Sequence, residues 1–269
     1  MSARRIDLVI SDVDGTLVGT DKSLSPGTVA AVGRLQEAGI GFTVASARPP
    51  IGLRDLVETL ALRLPMGAFN GATVVGPDLA VIEERLIPEA TAREAVDRLI
   101  ASGLDVWVFA DGLWSLRDED GPYTDLERRT LDAEPNVVAD LAPLLGRVSK
   151  LVGVSRDHGH LAVCEAEIGT ALQGRAVVHR SQAYYLDVTP PGIDKGGFVD
   201  WMADRLGIAR DRIAAFGDAG NDAAMFGRAG LSVAMGNAED AVKAAATAVT
   251  DGNDADGFAK AIDRLILAG

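Results

Sequence analysis

Hydrophobic and polar positions alternate along this chain in two rhythms, one of strands and one of helices. Residues 5–10, "RIDLVI", are short, apolar and largely β-branched, which predicts a buried strand. Residues 25–39, "SPGTVAAVGRLQEAG", carry Val29, Val32 and Leu35 at helical spacing, with Ser25 as N-cap, Pro26 at the first helical position and Gly39 as the stop. A second strand, "IGFTVASAR", a helix near 50–62 and a short strand "MGAF" ending in Asn70-Gly71 follow, then two β segments around "GPD". The same rhythm returns near the C-terminus. It predicts a helix over 195–206, the strand "RIAAFGD", a helix from about 220, the strand "LSVAM", a helix over 238–246, "TAVT" and a final helix over 257–267.

Between these ends the character changes. A helix "PEATAREAVDRLIASG" leads into "LDVWVFA", after which residues 117–129, "RDEDGPYTDLERR", read as irregular, charged, exposed surface. Two β-rich stretches, "RVSKLVGV" and "RAVVHRSQAYYLDV", bracket a helix near 159–173. Alternating strands and helices imply βαβ units around a parallel sheet. The expected fold is therefore α/β, a Rossmann-like parallel sheet with helices on both faces. Residues 1–85 and 189–269 form its two pieces, and 86–188 form an inserted α/β module at a tolerant surface loop.

Composition narrows the class. The 269 residues are 48% hydrophobic and 24% charged, which is globular rather than disordered. A net charge of −13, without any basic run, leaves no electrostatic footprint for nucleic acid or an anionic membrane. The lone Cys164 excludes an intrachain disulfide, no apolar run approaches a membrane span, and "MSARRIDLVI" lacks the apolar region of a secretory signal. The expected compartment is the cytosol.

In an open α/β sheet, ligands bind beyond the carboxyl ends of the strands. Four predicted strand ends carry Asp12-Val13-Asp14-Gly15-Thr16, Ser46-Ala47-Arg48, Asn70-Gly71 and Gly217-Asp218-Ala219-Gly220-Asn221-Asp222, and Lys195 opens a nearby helix. Converging carboxylates repel one another without a cation, and an all-oxygen set suits Mg²⁺. Glycine-turn N–H groups, the Ser46 hydroxyl and the Lys195 ammonium are what a phosphate needs. In an extended strand Asp12 and Asp14 face the same side, so one can attack phosphorus while the other handles the proton.

Taken together and in order, Asp12-Val13-Asp14-Gly15-Thr16-Leu17, Ser46-Ala47-Arg48, Asn70-Gly71-Ala72, Lys195-Gly196 and Gly217-Asp218-Ala219-Gly220-Asn221-Asp222 resemble the motifs of the haloacid dehalogenase-like phosphatase superfamily. The insertion after the third strand, with "AMGNA" at 234–238 and "VTDGNDADGFAKAI", resembles its Cof-like branch with a type IIB α/β cap. The resemblance implies Asp12 as nucleophile and metal ligand, and Asp14 as acid/base that meets the metal through its carbonyl. It implies Ser46 and Lys195 as holders of the phosphoryl group, Asp218 as a Mg²⁺ ligand, and Asp222 supporting the metal through water or Lys195. Arg48, Asn70, Gly71 and Asn221 would contact phosphate or substrate. Two positions depart from the commoner pattern, Ser46-Ala47-Arg48 in place of Thr-Gly-Arg and Ala219 in place of Ser.

The expected activity is Mg²⁺-dependent hydrolysis of a small phosphorylated metabolite, a sugar phosphate foremost. A phosphomutase is the alternative and a receiver-type phospho-acceptor domain a more distant one. Other features have plainer readings. Asp251 to Gly257, "DGNDADG", departs from a calcium loop at Ala255 and reads as a solvated turn with helix capping. His158 and His160 read as loop residues. Trp107, Trp114, Tyr123, Tyr184 and Tyr185 read as core of the insert, one or two of them lining a substrate pocket.

Overall fold

Two separated stretches of chain supply the strands of one parallel sheet. The computed structural model describes residues 5–268; residues 1–4, which hold the first arginine of the opening segment, and residue 269 lie outside it. The order begins β1 (Leu8–Ser11), α1 (Pro26–Glu37), β2 (Gly41–Val44), α2 (Arg54–Thr59), β3 (Met66–Ala68), β4 (Thr73–Val75) and β5 (Val81–Glu84). It continues with α3 (Glu89–Ala101), β6 (Asp105–Ala110), β7 (Leu113–Leu116), α4 (Thr124–Leu131), β8 (Asn136–Val137), β9 (Val148–Val154), α5 (His158–Ala171), β10 (Val177–Gln182) and β11 (Tyr185–Thr189). It closes with α6 (Lys195–Leu206), β12 (Ile213–Gly217), α7 (Ala223–Phe226), β13 (Leu231–Ala234), α8 (Asp240–Ala245), β14 (Ala248–Val249) and α9 (Gly257–Ala261).

The chain divides into two compact units, one of residues up to 46, 53–82 and 194 onward, the other of residues 47–52 and 83–193. In the first unit the sheet order is β14-β13-β12-β1-β2, every neighbouring pair parallel, and an Ala45–Gly67 bridge continues it toward β3. From β1 the chain builds outward in one direction through β2, then returns at β12 and builds in the other. The strand order therefore reverses between β1 and β12, and such a switch point opens a crevice at the strands' carboxyl ends.

Alternation along β1 gives the sheet two buried faces. Leu8 and Ile10 pack with Phe198, Val199 and Met202 of α6, while Val9 packs with Ala31, Val32 and Leu35 of α1 and Phe258 of α9. Ser25 caps α1 by accepting from the Thr28 N–H, and Asp194 caps α6 by accepting from the Gly197 N–H at 2.8 Å. Gly196 allows α6 and α7 to approach closely, since a Cβ there would lie 2.3 Å from the Ala224 carbonyl oxygen. The chain ends in π-helical turns over Ile262–Leu267, so the predicted last helix changes pitch after Ala261.

The second unit has a six-stranded sheet in the order β10-β11-β9-β6-β7-β8, antiparallel except for the β7–β8 pair. One face, with Val106, Val108, Leu151 and Leu186, buries against α3 and α5. Residues of opposite alternation form an aromatic and charged face. There Trp107 stands edge-on to Trp114 and Tyr185, and Lys150 pairs with the buried Asp187 at 2.6 Å. The segment 117–129, expected as irregular and exposed, instead contains most of α4. Its charged residues hide a buried stripe of Thr124, Glu127 and Leu131, and the Tyr185 hydroxyl donates to Glu127 at 3.0 Å. His158 and His160, expected in a loop, lie in the first turn of α5, which Asp157 caps. The β-rich run 175–188 folds as an antiparallel hairpin of β10 and β11.

Substituting Gly196→Ala is expected to lower stability by about 1–3 kcal/mol, because the new methyl meets backbone that cannot yield. Urea unfolding followed by circular dichroism checks this.

Candidate active site

Asp12 is the first residue beyond β1, and its backbone N–H still donates to the Phe216 carbonyl of β12 at 2.9 Å. Asp218 stands in the same place beyond β12. The switch point therefore sets two carboxylates at the mouth of adjacent strands. Lys195, the first residue of α6, is 1% exposed, and its Nζ donates to Asp12 Oδ1 and Asp222 Oδ1, each at 2.6 Å.

Asp222 is fully buried and its oxygens are committed. Oδ1 takes Lys195, and Oδ2 accepts the backbone N–H groups of Asp218 and Ala219, each at 2.9 Å. It thus fixes both the ammonium and the turn that carries Asp218. Asp218 accepts the Thr16 hydroxyl at 2.9 Å on Oδ1 and the Asn237 amide at 3.3 Å on Oδ2. Gly15, at φ +83°, has no room for a side chain, because a Cβ would fall 2.3 Å from Asp218 Oδ2.

Ligand oxygens of Asp12, Asp218 and Asp222 lie within 4.8 Å of one another. Three carboxylates and one ammonium leave a formal charge of −2. Burial raises the Asp12 carboxyl well above the usual carboxylate range against the Lys195 charge that lowers it, and Asp222 and Asp14 add to the rise. Asp218 is raised too, first by burial. Burial alone would lower the Lys195 pKa, but the two carboxylates outweigh it and hold the group charged. A hard divalent cation fits this set by charge and by donor chemistry, with Asp12 and Asp218 to meet it and Asp222 behind them.

Asp14 is not one of the three carboxylates whose oxygens converge. The chain bends at Val13, and the half-buried Asp14 carboxylate takes the Lys22 ammonium at 2.9 Å while remaining near enough to Asp12 for its charge to raise the Asp12 carboxyl. Ser46 is buried. Its carbonyl accepts from the Asn70 N–H at 2.8 Å, and Asn70 Oδ1 accepts the Asn221 amide at 3.1 Å. Phe69, Asn70 and Gly71 have consecutive positive φ values of 48°, 59° and 91°, a strained path that sets the Asn70 side chain toward Asn221. Gly71 packs against the start of α6, close to Phe198 and the Asp194 carbonyl. Arg48 groups with the second unit and donates to the Gly52 carbonyl at 3.1 Å.

Reading four strand ends missed Asn237, which follows β13 in a Gly-Asn turn. Thr16 lies in the first of those strand-end stretches, and its role, donating to Asp218, depends on spatial contact across 202 residues of sequence. The signal for Asn237 was present, since the end of the fifth strand was there to be read.

Comparison with known proteins follows the same lines. The family model for haloacid dehalogenase-like hydrolases matches residues 9–262. A Haemophilus influenzae protein with a provisional phosphatase name is 30% identical over 253 residues, covering 93% of this chain and 95% of that protein. An HMP-PP phosphatase of Cronobacter sakazakii is 29% identical over 228 residues, covering 84% of this chain and 83% of its own. The crystal structure of a haloacid dehalogenase-like hydrolase from Bacteroides thetaiotaomicron superposes with a TM-score of 0.90 at 30% identity, covering 97% of this chain and all of that one.

Replacing Lys195 by Met removes the one cation between two buried carboxylates and is expected to destabilise the fold by about 3–5 kcal/mol at neutral pH. A carboxyl whose folded pKa is raised is neutral at low pH and opposes folding as it ionises, so the deficit should grow as pH rises from about 4. Thermal midpoints of both proteins at pH 5 and pH 8 check the magnitude and the sign.

Proposed function

The chain belongs to the haloacid dehalogenase-like hydrolase family, and from that premise we propose that it is a Mg²⁺-dependent phosphatase of a small phosphorylated metabolite, a sugar phosphate foremost. The observation that carries this reading is the Lys195 ammonium shared by Asp12 and Asp222 with Asp218 beside them, at the sheet's switch point.

In this reading an Asp12 carboxylate oxygen attacks phosphorus. The bond from phosphorus to the leaving oxygen breaks, and Asp14 gives that oxygen its proton, leaving an aspartyl-phosphate on Asp12. Asp14, now ionised, takes a proton from water, which attacks the same phosphorus and releases phosphate and the free Asp12 carboxylate. Lys195 fixes Asp12 Oδ1, which orients the carboxylate. Bound at Asp12 and Asp218, with the Asp14 carbonyl as a further ligand, Mg²⁺ would offset the repulsion between carboxylate and phosphate. Ser46, Asn70, Gly71 and Asn221 supply hydroxyl, amide and backbone groups for the transferring phosphoryl group and its neighbours.

Residues 86–188 then serve as the cap that selects the leaving group, with Arg48 as a further substrate contact. Trp107, Trp114 and Tyr185 are buried and pack edge-on within that unit, so they act as its core, and the sugar-phosphate reading rests on the family resemblance.

Asp12→Asn is expected to lower kcat by at least about 10³-fold in metal-saturated protein, and a turnover close to wild type would overturn the mechanism. Asp14→Asn should still form phospho-enzyme yet slow its breakdown by about 10²–10⁴-fold, read by rapid quench. Chelation should abolish activity, and added Mg²⁺ should restore it. A panel of sugar phosphates, nucleotides and phosphorylated cofactors ranked by kcat/KM tests the substrate class.

A further inference from the structure

Asn237 is exposed, so water would satisfy its amide at little cost, yet the protein uses the group three times. Its Nδ2 donates to the Gly15 carbonyl at 2.9 Å and to Asp218 Oδ2 at 3.3 Å, and its Oδ1 accepts the Asn253 N–H at 3.0 Å. One amide thus joins the loop after β1, the carboxylate after β12 and the turn before α9.

The turn behind it is the "DGNDADG" segment. Gly236 donates to the Asp251 carbonyl at 3.0 Å, which seats Asn237 on the turn. Asn253 reaches past Asn237 to donate to the Val18 carbonyl at 3.0 Å, and Asp254 accepts both the N–H and the hydroxyl of Thr20, at 2.8 and 2.7 Å. Asp256 accepts the Ser25 hydroxyl at 2.5 Å. Residues 251–257 therefore grip the loop between β1 and α1 along its length, and Asn237 is the point where that grip reaches Asp218.

We propose that Asn237 is a positioning residue for the divalent cation. It holds the Asp218 carboxylate from one side while Thr16 holds it from the other, and it ties the Gly15 carbonyl, next to Asp14, to the same frame. The amide does not itself meet the metal. It removes the rotational freedom of Asp218, which would otherwise be lost when the ion binds. This inference rests on the reading of Asp12 and Asp218 as a Mg²⁺ site.

The test is calorimetric titration of Mg²⁺ into wild type, Asn237→Ala and Asp254→Ala. For Asn237→Ala the dissociation constant is expected to rise about 10-fold or more, while the metal-free thermal midpoint moves by no more than about 2 °C. The Mg²⁺ concentration for half-maximal turnover should rise in step, with KM for substrate at saturating Mg²⁺ unchanged. Asp254→Ala loosens the outer grip on Thr20, and should lower the midpoint without the loss of metal affinity. Asn237→Ser carries the same expectation as Asn237→Ala and replaces it if that variant does not fold. Wild-type affinity in Asn237→Ala, or equal weakening in Asp254→Ala, would overturn the inference while leaving the metal site standing. A wild-type protein that binds no Mg²⁺ would overturn the metal reading and this inference with it.

Discussion

One buried ammonium organises the first unit. An unpaired lysine 1% exposed would give up its charge, and Lys195 keeps it because two carboxylates meet it at 2.6 Å. The three residues come from β1, the start of α6 and the turn after β12, so the pairing specifies how the ends of the chain meet. Other features serve it. Asp194 caps the helix that Lys195 opens, Gly196 lets α7 approach, and the backbone N–H groups of Asp218 and Ala219 hold Asp222 in place. Buried ion pairs are often replaceable by apolar groups without loss of stability, so the trio is better explained by the chemistry it sets up than by stability.

The sheet explains why the acids gather where they do. Strands buried on both faces have little use for charge within their length, and polar residues accumulate where the backbone leaves the sheet. Reversal of strand order at β1 and β12 then brings two such exits side by side. Asp12 and Asp218 are neighbours because of topology, and Thr16, Gly15 and Asn237 act on how the Asp218 carboxylate is turned.

Most of the first unit was legible in the sequence, because its elements carry periodic apolar faces and explicit caps. Ser25 and Pro26 mark the start of α1, and Lys195 does open α6. Elements whose burial is narrow were not legible. Helix α4 buries only Thr124, Glu127 and Leu131 beneath a charged surface, and strand β8, two residues long, is too short to show alternation. Within the site, the convergence of Asp12, Lys195, Asp218 and Asp222 followed from reading strand ends. The direction of the Asp14 side chain did not, because a positive φ at Gly15 and the pull of Lys22 lie outside any strand rule. The grouping of residues 47–52 with the second unit is a fact of space that no local pattern records.

The separation of the core into two stretches also bears on how the protein is made. Asp12 and Lys195 lie 183 residues apart, and β1 has no partner on its β12 side until the chain has been synthesised past residue 217. Residues 83–193 form a continuous segment with an apolar cluster of their own, and domains generally fold as units as they are synthesised. The entropic penalty of closing the long excursion between the halves rises only logarithmically with length, and a segment already folded shortens the effective loop. The order of synthesis thus keeps Asp12 apart from Lys195 until the inserted segment has been made, and the charge cluster can form only after that segment has emerged.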